Sequence, residues 1–470
     1  MLHIENASQQ SSQMKTKVNS FLFSSLLLIV FLLPIPLGAN RPWAWNLFQI
    51  AIFALTIILC INSTSQQIYS LKKYTVIIAL WIAMIVLACM QIVHLPEGVV
   101  EWLSPVAYEL QRNVGLLEFS LSLDPGQSAI SLQKLLSFFC LFLSALLLLN
   151  SEQRIKALLM TMLAAGTFQA TYGSLEVLLK LEHSWIFNIE TEQIATGSFV
   201  YKNHYANFLM LCLAAGIGLL VTSLQKDQMR SPRDLLRSVA STLLSSKALF
   251  RVCLAIMVIG LVMSRSRMGN TAFFVAMTVT GVLALFLIKK RSRGLTLLII
   301  SMFIVDLLIV SAYFGLDKVK SRLGETSLAQ ESRDEVIVDA LPMIKDFPIS
   351  GSGAGSFYSV FPGYQNADVL PFYDHTHNDY LQFAIEYGLL GFSILLLICL
   401  YAAYKSLHAM RNRKNSIFKG SAFACVMVFI GMAMHTSVDF PLQAYANACY
   451  FVLFIALAVI SSSLKLRPRS

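Results

Sequence analysis

The chain has no CxxC pair and little charge. Its eight cysteines (Cys60, Cys89, Cys140, Cys212, Cys253, Cys399, Cys425 and Cys449) are scattered through apolar segments, which argues against a disulfide framework and a zinc site. Charged residues make up 13% of the 470 and hydrophobic ones 56%, with a mean hydropathy of +0.65. That balance excludes an ordinary soluble domain and reads as an all-α polytopic membrane protein. There is no HExxH-like helical pair, and no lysine follows the one glycine-rich run as a phosphate-binding P-loop requires. No internal repeat is evident. The net charge of +10 is not a nucleic-acid signal, because Lys and Arg fall in short blocks between apolar segments, the pattern that orientation in a bilayer produces.

What the chain does have is length of apolar sequence. Residues 1 to 14 are polar and read as a disordered tail, and the first apolar segment, Val18 to Gly38, is too long for a signal-peptide core and ends in Pro34-Ile35-Pro36 without a small-residue cleavage site. Further segments follow at about 43–62, 74–93, 134–149, 155–179, 203–224, 249–264, 268–288, 295–315, 381–404, 420–437 and 441–463, which makes about twelve transmembrane helices. With the N-terminus inside, every strongly basic loop falls on the cytoplasmic side: Lys72 and Lys73; Arg154 and Lys156; Lys226, Arg230, Arg233, Arg237 and Lys247; Lys289, Lys290, Arg291 and Arg293; Arg411, Arg413, Lys414 and Lys419; and Lys465, Arg467 and Arg469. Three longer connections, 94–133, 180–202 and 316–380, then lie outside. The largest is patterned: Ser332-Arg333-Asp334-Glu335 fits a capping box, with Val336, Ile337, Ala340, Leu341 and Ile344 at helical spacing behind it, and a turn-rich run from Phe347 to Ser356 precedes Phe357, Tyr358, Phe361 and Tyr364.

The polar residues that stand out all fall on this outer side. Asp374-His375-Thr376-His377-Asn378-Asp379-Tyr380 opens an apolar segment, and ionisable groups beside lipid are costly enough to mark a functional site. Imidazole titrates near neutrality, so His377 is a candidate general base toward an attacking hydroxyl, with Asn378 and Asp379 orienting the ring or binding substrate. One of His375 and His377 could instead be structural, or Asp374, His375, His377 and Asp379 could ligate a metal. Arg265 and Arg267, alternating with serines in a tight outer hairpin, oppose the orientation signal of the other loops. They are either snorkelling to headgroups or an anion site, since guanidinium offers a planar fork to phosphate oxygens. Lys202, at the head of the segment that opens with Lys202-Asn203-His204, favours a negative ligand or belongs to an aromatic belt. Arg333 is a further cation on the same side or a solvated charge.

His377-Asn378, nine residues, then Gly388 resembles the signature of the O-antigen ligase and polymerase superfamily, and Phe199 to Phe208 is similar to that family's "FVNRNHFAG" type stretch. The Arg267 hairpin resembles the family's Ser-Arg motif; with Arg333 through Tyr364 the resemblance covers roughly 196–391. Three departures stand beside it: Met268 follows Arg267 where members often have Gly or Ala, Lys202 replaces an arginine, and no Trp follows Arg333 at the usual short spacing. The resemblance implies a metal-independent, cofactor-free, inverting glycosyltransferase in the bacterial inner membrane, of GT-C-like architecture, with its active site facing the periplasm. The donor would be an undecaprenyl-diphosphate-linked glycan and the acceptor lipid A core or a growing glycan. His377 would be catalytic, with Arg265, Arg267, Arg333, Lys202, Asn203, His204, His375, Asn378 and Asp379 on the substrates. The chain then divides into a cytoplasmic tail (1–17), N-terminal transmembrane helices (18–195), a catalytic region (196–404) that includes the periplasmic loop 316–380, and C-terminal helices with a basic tail (405–470). A transporter or flippase for an anionic lipid-linked sugar is the rival expectation from another class.

Overall fold

The computed structural model describes residues 2–224, 246–288, 296, 300, 301, 328–366 and 372–464. The expected ninth apolar segment (295–315), Lys226, Arg230, Arg233, Arg237, the 289–293 basic run and the 465–469 tail all lie outside them, apart from isolated helical positions at 296, 300 and 301. The described residues form helices and turns, with two isolated bridges, Leu95 to Phe119 and His183 to Glu190.

In chain order the helices are α1 (Leu2–Leu32), α2 (Pro42–Asn62), α3 (Thr75–Ile92), α4 (Glu97–Leu103), α5 (Pro105–Asn113), α6 (Pro125–Leu148), α7 (Glu152–Leu178), α8 (Lys202–Leu224), α9 (Ser246–Met263), α10 (Arg267–Leu287), α11 (Leu328–Asp346), α12 (Phe357–Val360), α13 (Asp379–Asn412), α14 (Ser416–His435) and α15 (Tyr445–Ser463). A short helix, Ser65–Tyr69, and a 3-10 turn lead into α3. Nine helices among the described residues are long and apolar enough to cross a membrane: those within α1, α2, α3, α6, α8, α10, α13, α14 and α15. The protein is therefore a polytopic helical membrane protein. Of the other expected segments, 155–179 falls in α7, and the apolar part of α9, Leu249–Met263, is shorter.

The core of the bundle is α8. Its spanning part is almost wholly buried, packed against α7, α9 and above all α14, whereas α2 and α3 leave much of their apolar surface facing outward, as lipid-facing helices do. Small residues allow the close approach: a Cβ on Gly420 of α14 would lie 2.3 Å from the Gly218 carbonyl oxygen of α8. In turn α13 packs against α3, α14 and α15.

Three local expectations are corrected. The first 14 residues do not form an irregular tail; helix α1 runs back through them to Leu2, and its 31 residues contain neither proline nor glycine to stop it. Ser332 is not an N-cap, because α11 begins at Leu328; Leu328-Ala329-Gln330-Glu331 are all strong helix formers and extend the helix past the capping pattern. The buried stripe of α11 is Val336, Asp339, Ala340 and Met343, continued by Phe347 just past its end, while Leu341 stands exposed.

The outer connections form a second layer. Helix α11 buries Val336, Ala340 and Met343 in a small apolar cluster with Ala107 of α5, Phe357, Phe361, and Leu381 and Ile385 of α13. The glycine-rich run is what fastens this layer to the membrane helices. Gly388 interrupts α13 with φ +65 and ψ 176, freeing the carbonyls of the preceding turn, and the loop supplies their partners: Ser352 N–H donates to Ile385 O (2.9 Å) and Gly353 N–H to Glu386 O (3.2 Å). Leu389 N–H returns a bond to Pro348 O (2.8 Å). Gly388 is required twice over, by its left-handed φ and because a Cβ there would lie 2.2 Å from the Ile349 carbonyl oxygen. Gln91 of α3 completes the joint, donating to Ser350 O and Glu386 O and accepting from Ala354 N–H. The N–H groups of Gly351, Ser352, Gly353 and Ala354 are thus engaged with protein acceptors.

Candidate active site

The polar residues picked out from the sequence gather at one end of the bundle, where α8, α10 and α13 begin and α14 ends. The start of α8 is set from behind: Gln169 of α7 exchanges two hydrogen bonds with Ser198 (2.9 and 2.8 Å), and the Ser198 hydroxyl donates to Pro34 O (2.8 Å). The start of α13 is set by its own cap. Asn378 accepts from Leu381 N–H (3.1 Å) through its side-chain oxygen and donates its amide to Ser437 O (3.0 Å). Asp379 is buried; its carboxylate accepts from Leu442 N–H (3.0 Å) and the Gln443 amide (3.2 Å), and its N–H lies against the carbonyls of Thr436 and Asp439. Asn378 and Asp379 therefore tie α13 to the connection between α14 and α15.

That connection carries the residue on which the site is centred. Asp439 accepts from Phe440 N–H (2.8 Å) and from the Asn203 amide at the start of α8. The Phe440 ring, so placed, stacks on Tyr201 (5.5 Å between centroids) and meets three imidazoles: His204 edge-on at 5.0 Å, His375 at 4.6 Å and His377 edge-on at 4.8 Å. At a helix start residues two apart point different ways, so His377 and His375 are expected to diverge; instead both flank Phe440, because both precede the first residue of α13, Asp379. His377 itself sits at φ +54, in the left-handed region. Tyr373 lies edge-on to the His377 ring, 6.1 Å away.

Behind His375 lies a buried polar file. Gln382, one turn into α13, directs its amide nitrogen at His375 Nδ1 (3.0 Å) and at Glu386 Oε1 (3.0 Å). Lys134 of α6, with its Nζ 4.0 Å above the Trp45 ring, is close enough to interact electrostatically with both Glu386 and His375. Burial is the main cause that holds His375 below the ordinary imidazole value; Asp374 opposes it and Lys134 adds to it.

The arginines sit apart from this cluster. Arg265 and Arg267 are exposed in the turn between α9 and α10, which packs beside the start of α8: Ala195 N–H donates to Met263 O (3.1 Å), and Gly269 faces Ala206. Arg265 is at φ +51, and Arg267 is the first residue of α10, behind a Ser266 cap that accepts from Gly269 N–H (3.2 Å). Lys202 is half-buried at the first turn of α8. Arg333 lies within α11, and its side chain is outside the described residues. No group of three or more His, Cys, Asp or Glu set to hold a metal ion occurs among the described residues.

Phe440, Asp439, Gln382, Glu386 and Lys134 were not candidates from the sequence. The signal for the first two was available: Asp439-Phe440-Pro441 interrupts two apolar segments on the side expected to be outer. Lys134 stood at the edge of an apolar segment that the structure extends back to Pro125.

Fold and site together define a multi-pass helical membrane protein with an imidazole-rich polar site at one end of its bundle. Residues 252–396 match the family model described as O-antigen ligase, a segment holding Arg265, Arg267, Arg333, the two histidines just before α13 and Gly388. The match covers 145 of the 470 residues, and over that segment the chain is similar to this family. No curated protein matches the chain.

Proposed function

We propose that this protein is a metal-independent, inverting glycosyltransferase, with twelve spans in a GT-C-like arrangement. It transfers a glycan from undecaprenyl diphosphate to a sugar hydroxyl at the periplasmic face of the bacterial inner membrane. The observation that carries this reading is the packing of His375 and His377, both in the matched segment, against Phe440, at the bundle end that also bears the arginine hairpin. In the reaction His377 accepts the proton of the acceptor hydroxyl, whose oxygen attacks the anomeric carbon. The bond from that carbon to the diphosphate breaks, its electron pair leaving with undecaprenyl diphosphate. Arg265, Arg267 and Arg333, with Lys202, neutralise the charge that develops there. Asn203, Asn378 and Asp379 hold the rings in place, and Phe440 and Tyr201 offer faces to a sugar.

The rival, a carrier of an anionic lipid-linked sugar, needs its polar groups near the midplane of the membrane, whereas these gather at one end of the helices. Purified protein in detergent, supplied with lipid-linked glycan and acceptor, decides: product formed without a membrane gradient supports the transferase, and binding without product supports the carrier. A lipopolysaccharide gel of a deletion strain then separates ligation, whose loss removes every attached chain, from polymerisation, whose loss leaves one attached repeat unit.

A further inference from the structure

Gln382 has three polar neighbours, and together they fix which way its amide points. Glu386 Oε1 lies 3.0 Å from Nε2, Thr376 N–H is directed at Oε1 (3.4 Å), and His375 Nδ1 is 3.0 Å from Nε2. Turning the amide over would set oxygen against the carboxylate and nitrogen against a backbone N–H, losing both bonds. With Nε2 so placed, its two protons go to Glu386 and to His375, and Nδ1 of His375 must accept. An imidazole that accepts at Nδ1 carries its single proton at Nε2, on the opposite edge of the ring. Gln382 and Glu386 are both buried, Glu386 is held in turn by N–H groups of Gly355 and Phe357 from the docked loop, and nothing among the described residues accepts from His375 Nε2. The ring itself is half-exposed beside Phe440.

We propose that His375 is a fixed hydrogen-bond donor of this site: a neutral imidazole, locked by Gln382 and Glu386 with its proton on Nε2, that presents this N–H to an oxygen of the lipid-linked donor. The proposal rests on the transferase reading for its substrate, and gives the two histidines opposite duties, one taking a proton and the other keeping it. Burial, the largest influence, disfavours a second proton on His375 and Lys134 adds to it, against the opposing pull of Asp374 and the Gln382 contact. Gln382 and Glu386 are positioning residues.

The test uses the geometry of amide replacements. A glutamine at 375 places an N–H where Nε2 was, whereas an asparagine places its amide where Nδ1 was. His375→Gln is expected to transfer within about tenfold of wild type, and His375→Asn and His375→Ala to fall together by about ten- to a hundredfold, the range for one hydrogen bond to a charged or buried partner. Equal losses in all three, or none in any, would overturn the donor role. Binding of bare undecaprenyl diphosphate and of the glycan-bearing donor to His375→Ala assigns the oxygen: weakening of both places it on the diphosphate, weakening of the second alone on the sugar, and no weakening of either, with the rate unchanged, removes the contact. The tautomer is read independently of activity from nitrogen-15 spectra of histidine-labelled protein in lipid nanodiscs, with His375→Gln identifying the resonance. A protonated Nε2 with bare Nδ1, becoming a mixture in Gln382→Met, is the expected result, and a protonated Nδ1 in wild type refutes the lock. If wild type transfers nothing to any acceptor while the spectrum is as expected, the transferase reading fails and the lock stands.

Discussion

His377 and Arg265 both occupy the left-handed region of backbone space, where side chains with a Cβ are uncommon, and both lie in the stretches that the sequence marks as chemical. At His377 two imidazoles, its own and that of His375, meet on Phe440. Removing the ring in His377→Ala is expected to lower transfer by about 10²- to 10⁴-fold while donor binding stays largely intact, because the diphosphate contacts are made elsewhere. His375→Ala should cost less; matched losses in the two variants together with inhibition by chelator would instead point to a metal site. Arg267→Lys keeps the charge but replaces a bidentate fork by a point ammonium, so turnover should fall, and fall further than in Arg265→Lys. Unchanged donor binding and rate in both would return the pair to headgroup snorkelling. Phe440→Ala removes the face that four rings share; single-turnover rates should drop with folding preserved, since the Asp439 and Asp379 bonds involve backbone and neighbours rather than the ring.

At the scale of elements, the break in α13 joins the membrane bundle to the outer layer. Gly388→Ala combines a disfavoured φ with a clash against Ile349 O, and is expected to destabilise the protein by about 1–3 kcal/mol or more. Protease cleavage should appear within 348–356 before the bundle melts. Gly363→Ala, where an added Cβ meets nothing within 4 Å, is the control. The spacing from His377-Asn378 to Gly388 was legible as a pattern in the sequence. Its cause, a helical stretch that must end where another loop docks, was not, because the partners of the freed carbonyls come from a run 33 residues earlier. The start of α11 was misplaced for a related reason: a capping pattern is a local signal, and helix formers ahead of it override it. The arginine hairpin, built from neighbours in sequence, could be read directly.

For the molecule as a whole, the orientation expected from the basic loops, with the N-terminus inside, turns the bundle end that gathers the polar groups outward. Reporter fusions at Gln365 and Arg413 are expected to lie on opposite sides of the membrane, and the same side for both would overturn the orientation. Membrane character and the histidine stretch were legible because they rest on composition and adjacency. The centre of the site was not, since Phe440 meets Tyr201 and His204, more than 230 residues away, only once α8 and α14 are packed through Gly218 and Gly420. Position in the chain also sets an order of assembly. Tyr201, His204, His375 and His377 all leave the ribosome before the ring they surround, and the carboxylate of Asp379 waits for Leu442 and Gln443. During synthesis the outer loop and the arginine hairpin can therefore be in place while the histidines still lack their common support. A nascent chain halted before residue 440 carries the remaining residues proposed to act on substrate but lacks the Phe440 ring, and is expected to show no transfer.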